Sequence, residues 1–397
     1  MYNQKSYELG SKRSVIREIF EYAKTRAAEV GAENVFDFSI GNPSVPAPQE
    51  VQQAIVKELT QTPSVALHGY TSAQGDANVR KTISDNLKRR FNADIPADFL
   101  YMTCGAAASL TITLKALYEE GDEVIVFAPF FTEYRVFVEG TGAKLVVVGA
   151  NEKTLQPDFT AFEQAITPRT KAVIINSPNN PSGVVYKEET VQKIAELLSE
   201  KSKGYGRAIY LISDEPYREL VYDTDVKVPF VTNYYNDAIV CYSYSKSLSL
   251  PGERIGYIAV SPKAENSKEV YLSVCGAGRT LGYVCAPALF QRVAATCDGL
   301  TADLSIYKKN RELLYNGLTD CGFTCVYPDG AFYLFMKTPE EDAYAFCERA
   351  KKLDLLLVPS DDFGVKGFVR IAYCVQTETI ERAMPKFQAL AKEYGLK

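Results

Sequence analysis

The chain has 397 residues, 46% of them apolar and 23% charged, and a net charge of −5. These are ordinary proportions for a globular protein, and the slight acidity gives no electrostatic case for nucleic acid or an anionic membrane, so small molecules are the expected partners. The length exceeds that at which one hydrophobic core stops growing, which predicts a large domain plus a smaller one.

No apolar stretch reaches the roughly 20 residues of a membrane helix. The polar start Met1-Tyr2-Asn3-Gln4-Lys5 does not read as a signal peptide. We therefore expect a cytosolic protein. Nine cysteines with no CxxC pair do not form a disulfide framework. The single histidine, His68, leaves no two-histidine metal site and speaks against a histidine triad, so acid–base work is expected to fall to Lys, Tyr, Asp or Glu.

In chain order, residues 14–30 have the apolar spacing of an amphipathic helix, with Ser14 near its start and Gly31 just past its end. From about residue 50 to 285, short apolar runs alternate with helical patterns. The runs Val124-Phe127, Leu145-Val148, Ala172-Ile175, Ile209-Ile212 and Ile239-Tyr242 are rich in β-branched residues and lack polar alternation, as in strands buried on both faces. Helical patterns fall at Ser109 to Leu117 and between Lys187 and Lys203. Farther on, Phe332-Met336 and Phe368-Ala372 read as strands, and 340–353 and 377–394 as helices. The fold expected is α/β, a large domain with a mostly parallel sheet covered by helices, plus a smaller α+β domain. Residues 46–285 would form the large domain, and 1–45 with 286–397 the small one. A ligand is expected where the two domains meet.

Ser243-Tyr244-Ser245-Lys246, just past the Ile239 run, places an amine among small hydroxyls at a strand end. Lys246 reads as a Schiff-base lysine. Ser243 and the guanidinium of Arg254, in Pro251-Gly252-Glu253-Arg254-Ile255-Gly256, suit a phosphate. Together they suggest pyridoxal 5'-phosphate. Asp214, at the C-terminal end of the Ile209 run, can hold the ring nitrogen protonated and so tune an electron sink. Tyr217 and Asn180, the latter in the Pro- and Gly-containing segment Asn176 to Gly183, can reach the ring's phenolic oxygen. Gly105, Ala106 and Ala107 open a helix whose free amides would hold the phosphate. Phe131 offers a ring face for stacking. Arg370 can pair bidentately with a substrate α-carboxylate.

In this order along the chain, these motifs resemble those of the class I aminotransferases, pyridoxal-phosphate enzymes of fold type I. S-x-[SA]-K followed by R-x-G is similar to Ser243 through Gly256, N-P-x-N-P-[TS]-G to Ser177 through Gly183, and D-E-x-Y to Asp214-Glu215-Pro216-Tyr217. The resemblance implies Lys246 as the cofactor lysine and gives Asp214, Tyr217, Asn180, Ser243 and Arg254 the roles above. It further implies Arg370 and the Gly41 amide, in Ile40-Gly41-Asn42-Pro43, as receptors of the substrate carboxylate. Tyr70 resembles the tyrosine that reaches the phosphate of a neighbouring subunit, which implies a homodimer with sites at the subunit interface. Two departures stand out: Ser177 where the turn usually opens with Asn, and Ala107 where relatives carry Ser or Thr.

The expected reaction moves an amino group from an L-amino acid to a 2-oxo acid such as 2-oxoglutarate. Arg279 or Arg17 would favour aspartate or glutamate by binding a side-chain carboxylate, whereas the 26 tyrosines and 20 phenylalanines could line an aromatic or aliphatic pocket; aspartate is the donor expected. The alternatives on the same fold are a carbon–sulfur β-lyase and an amino-acid decarboxylase. A non-catalytic cofactor-binding sensor would need an added DNA-binding segment, for which the residues before Ser14 are too few.

Overall fold

The computed structural model describes residues 2–11 and 14–396. Its strands, numbered along the chain, are β1 (Phe36–Asp37), β2 (Leu100–Thr103), β3 (Glu123–Phe127), β4 (Lys144–Val148), β5 (Thr170–Asn176), β6 (Tyr210–Asp214) and β7 (Ala238–Ser243). There follow β8 (Gly256–Val260), β9 (Thr324–Val326), β10 (Tyr333–Lys337), β11 (Leu355–Leu356), β12 (Val358–Pro359) and β13 (Phe368–Ala372).

Two compact units divide these elements, and the larger spans Val45–Leu304 with Asp329–Ala331. Its seven-stranded sheet has the order β2-β8-β7-β6-β5-β3-β4. The pairings β3–β4, β3–β5, β5–β6 and β6–β7 are parallel, whereas β8 is antiparallel to both of its neighbours. All residues of β3, β6, β7 and β8 are buried, which explains why these runs show no polar alternation. Non-consecutive neighbours such as β5 and β3 require crossovers. The helix Glu133–Thr141 joins β3 to the parallel β4, and Glu188–Tyr205 joins β5 to the parallel β6, the second burying Val191, Ile194, Ala195, Leu197 and Leu198 on one face.

Residues 286–304, expected in the small domain, belong to the large unit. The helix Ala288–Thr296 and the residue after it bury Val293, Ala294, Ala295 and Cys297 in the same core as Val51, Ala54, Ile83 and Leu87. Burying that apolar face decides its membership, and no change of composition at residue 286 marks it.

The smaller unit comprises Met1–Ser44, Ser305–Pro328 and Phe332–Lys397. An antiparallel sheet of order β12-β13-β10-β9 and a parallel pair β1–β11 make up its strands. Ser14 caps the helix Val15–Val30 by accepting from the Arg17 amide, and Gly31 ends it at φ 91°, a left-handed value that glycine alone adopts without a Cβ penalty. The helices Ala343–Lys352 and Thr377–Glu393 each bury an apolar stripe. Among the described residues, no helix is long and apolar enough to cross a membrane.

Candidate active site

In the large unit, three parallel strands end side by side and carry most of the expected residues. β5 ends at Asn176, β6 at Asp214 and β7 at Ser243, with Asn176 paired to Asp214 and Asp214 to Cys241. The ladder therefore fixes the spacing of the groups that follow these ends.

Asp214 is buried, at 4% exposure. Its Oδ2 accepts a 2.6 Å hydrogen bond from the Tyr134 hydroxyl, while Oδ1 is buried with no partner among the described residues. Burial pushes this carboxyl up to about 7; the Tyr134 bond opposes the rise and the neighbouring Glu215 charge adds to it. A buried carboxylate with one open oxygen is suited to a cationic N–H donor. Tyr217, three residues on, is also buried.

The segment after β5 is held by its own side chains. Asn176 Nδ2 donates to the Asp214 carbonyl at 2.8 Å, and its Oδ1 accepts from the Asn180 amide at 2.7 Å. Asn179 Oδ1 accepts from the Ser182 amide and hydroxyl. Ser177, the departure at the head of the turn, accepts from the Tyr186 amide at 2.8 Å and so closes the loop. The turn is thus pinned to Asp214, and Asn180 is buried beside it.

Beyond β7 a one-turn helix, Tyr244–Ser247, carries Lys246, which is half-buried. Ser243 caps that turn by accepting from the Ser245 amide, and the two hydroxyls lie 2.7 Å apart. Arg254, at φ 52°, donates to the Pro251 carbonyl at 2.9 Å and approaches the Ser245 hydroxyl at 3.5 Å. Its guanidinium also lies against Gly105. A Cβ built on Gly105 would stand 2.9 Å from Arg254 Nη2, and Gly105 has φ 87°. That glycine begins the helix Ala106–Leu117, with no side-chain cap on its first amides. Arg254, two serines and the open helix start form a cradle for a dianion, in which the alanines at 106 and 107 contribute backbone alone.

Phe131 is half-buried and meets the Tyr134 ring edge-on at 5.6 Å, which puts it one residue from Asp214. Tyr70 is 98% exposed, and Arg279 and Arg17 are exposed on the helices Ser267–Thr280 and Val15–Val30.

In the small unit, Arg370 is buried in the centre of β13 and donates to the Ser39 carbonyl. Its guanidinium lies 4.8 Å from the Tyr333 ring and 5.3 Å from that of Phe363, two faces that favour a cation. Gly41 belongs to the same cluster. A Cβ there would collide with the Tyr333 hydroxyl, so only glycine leaves that hydroxyl its place.

Tyr134, Asn176 and Ser245 were not anticipated as site residues. Ser245 lay within the quoted lysine motif. Asn176 differs from an ordinary turn residue through one hydrogen bond across strands, to the Asp214 carbonyl, and one within the turn, from the Asn180 amide. Tyr134 carries no sequence signal besides its position three residues after Phe131, one helical turn on.

The sequence model described as aminotransferase class I and II matches residues 33–387. The chain belongs to the class I and II aminotransferases. It is accordingly a transferase, and the mostly parallel sheet flanked by helices is that of its relatives. The aspartate aminotransferase of Thermotoga maritima is 31% identical over 92% of this chain and 94% of its own. Among solved structures, an amino transferase from Eubacterium rectale is 57% identical, with a TM-score of 0.98 and 99% of each chain covered. An aspartate aminotransferase from Thermus thermophilus, solved with maleate, is 26% identical at a TM-score of 0.84, covering 98% of this chain and all of its own.

Proposed function

We propose that this aminotransferase works with pyridoxal 5'-phosphate and moves the amino group of aspartate to a 2-oxo acid such as 2-oxoglutarate. The observation that carries the cofactor is Asp214, a buried carboxylate with one unpartnered oxygen at the end of β6, beside the strand that leads to Lys246. The residues fit the group: the anion cradle of Ser243, Ser245, Arg254 and the Gly105 helix start suits its phosphate, and Asn180 and Tyr217 suit its phenolic oxygen. When bound, the cofactor offers an aldehyde for the amino group and a protonated ring that takes up the charge left at Cα.

The chain's own residues then divide the work. Arg370 and the Gly41 amide bind the substrate α-carboxylate and fix the orientation of its Cα–H bond. Lys246 Nζ takes the Cα proton and holds it as an ammonium for the return step. Asp214, oriented by Tyr134, would hold a proton on the ring nitrogen of the bound cofactor by remaining an anion. The Asn176 to Gly183 turn, tied to the Asp214 carbonyl, keeps Asn180 in place while these charges shift.

Aspartate is favoured because similar enzymes are named for it and because Arg279 and Arg17 offer cations for a second carboxylate. Tyr70, fully exposed on one chain, is assigned to the phosphate of a second copy, which makes the working unit a homodimer. The reading is tested by incubating protein and cofactor with single amino acids and 2-oxoglutarate and measuring glutamate. Aspartate should give the highest turnover, and Lys246→Ala should abolish it. Near-native turnover in that variant, or pyruvate and ammonia release without an oxo-acid acceptor as the main activity, would overturn it.

A further inference from the structure

Behind the strand ends lies a buried charge cluster that the mechanism above does not use. The Glu215 amide continues the ladder by donating to the Cys241 carbonyl at 2.9 Å, so the Glu215 side chain leaves the sheet on the face opposite Asp214. There Arg218 Nε stands 2.6 Å from Glu215 Oε2, with both side chains at 2% exposure, an ion pair closer than it is well aligned. Arg218 is walled by rings: Tyr242 at 4.2 Å, Phe91 at 5.1 Å and Phe230 at 5.2 Å. Its terminal nitrogens meet the Tyr257 hydroxyl at 3.2 and 3.3 Å.

The cluster reaches the turn that bears Lys246. The Tyr242 hydroxyl lies 2.7 Å from Glu219 Oε2 and 3.0 Å from the Ser247 hydroxyl, next in sequence to the lysine. Arg90 pairs with the other Glu219 oxygen at 3.1 Å. Among the described residues, Asp298 accepts from the neutral donors Tyr244 and Asn86, each at 2.9 Å. Glu215 thus has the Arg218 guanidinium as its cation and Glu219 that of Arg90, while the Asp214 carboxylate, on the other face, accepts from the neutral Tyr134 hydroxyl. A carboxylate buried without its cation is costly, and that cost falls on every other anion nearby.

We propose that Arg218 is a positioning residue for the Asp214 carboxylate: from behind the sheet it cancels the charge of Glu215, so that Asp214 can carry its own charge toward the reacting face. Titratable groups around Asp214 are Tyr134 on the helix Glu133–Thr141, Cys241 on β7, Glu215 and Tyr217 on its own segment, and Lys246 past β7. Of these, Glu215 is the neighbour whose charge pushes the Asp214 carboxyl up, and Arg218 is what opposes Glu215. The inference rests on the reading of Asp214 as the ring-nitrogen partner. Its test, however, needs no cofactor.

The experiment is an infrared titration of carboxyl stretches in the cofactor-free protein, with Asp214 identified by difference against Asp214→Asn. Glu215→Gln should lower the Asp214 midpoint and Arg218→Met should raise it, each by about one pH unit. Arg218→Lys should hold it near wild type, and the Arg218→Met/Glu215→Gln pair should return it to the Glu215→Gln value. An Asp214 midpoint unmoved by Glu215→Gln overturns the proposal even if Arg218→Met fails to fold. A protein in which these shifts occur but pyridoxal phosphate leaves no visible absorbance refutes the cofactor reading and keeps the coupling.

Discussion

The Tyr134 hydroxyl sits 2.6 Å from Asp214 Oδ2 and takes one of the two oxygens of that carboxylate, leaving Oδ1 as the open one. The bond both aims the carboxylate and stabilises its charge, since a donor to an anion favours the ionised form.

Tyr134→Phe removes that donor with little change of volume. Hydrogen bonds to charged groups contribute about 1.5–3 kcal/mol, so cofactor affinity or turnover should fall roughly tenfold to a hundredfold. Fluorescence titration with pyridoxal phosphate and steady-state rates check this. The Asp214 midpoint should also rise, so the acidic limb of the rate profile should move to higher pH.

Asp214 gives the cofactor-free protein a characteristic pH dependence. Its folded-state value of about 7 lies above the ordinary aspartate value of 3.8, so the folded form binds more protons between these limits. Stability contributed by this group is therefore present at low pH and lost as pH rises toward 7. Thermal melts of the cofactor-free protein from pH 5 to 8 should show wild type losing stability relative to Asp214→Asn. With cofactor bound, a cationic partner faces the carboxylate and the relative loss should disappear.

Gly41→Ala would push a methyl group into the Tyr333 hydroxyl, and the Tyr333 ring flanks the Arg370 guanidinium. Overpacking of this kind costs about 1–3 kcal/mol. Because the disturbance lies at the proposed carboxylate receptor, KM for the amino acid should rise about tenfold or more, while cofactor absorbance stays unchanged. Initial-rate kinetics with aspartate and absorbance spectra separate the two effects.

Arg279→Met tests the proposal that Arg279 receives the side-chain carboxylate of aspartate. Losing a charge-assisted contact of about 1.5–3 kcal/mol should lower kcat/KM for aspartate by roughly tenfold to a hundredfold and leave alanine little affected. Equal loss on both substrates, or none, would remove Arg279 from substrate recognition and leave Arg17 to be tested the same way.

The strands of the large unit were legible because they are buried on both faces: the run Val124-Phe127 sits within β3 and Ile239-Tyr242 within β7. The lysine, asparagine and aspartate motifs could be read because each follows one of those runs. β2 was less visible. Its residues Leu100-Tyr101-Met102-Thr103 are short and mixed, and they form a strand only through pairing with β8, more than 150 residues away. Tyr134 and Arg218 escaped for a related reason. One is a tyrosine on a helix and the other an arginine in an acidic stretch, and only tertiary contact brings the first to Asp214 and the second to Glu215. The membership of residues 286–304 likewise depended on which core the helix Ala288–Thr296 would join.

β6 and β7 are hydrogen-bonded neighbours, with Asp214 opposite Cys241 and the Lys246 turn following directly. Adjacent strands keep a separation of about 4.8 Å, imposed by backbone geometry and indifferent to side-chain identity. The offset between the proposed acid and base is therefore inherited from the peptide chain itself. Substitution at exposed positions such as Arg279 leaves the spacing of Asp214 and the Lys246 turn untouched.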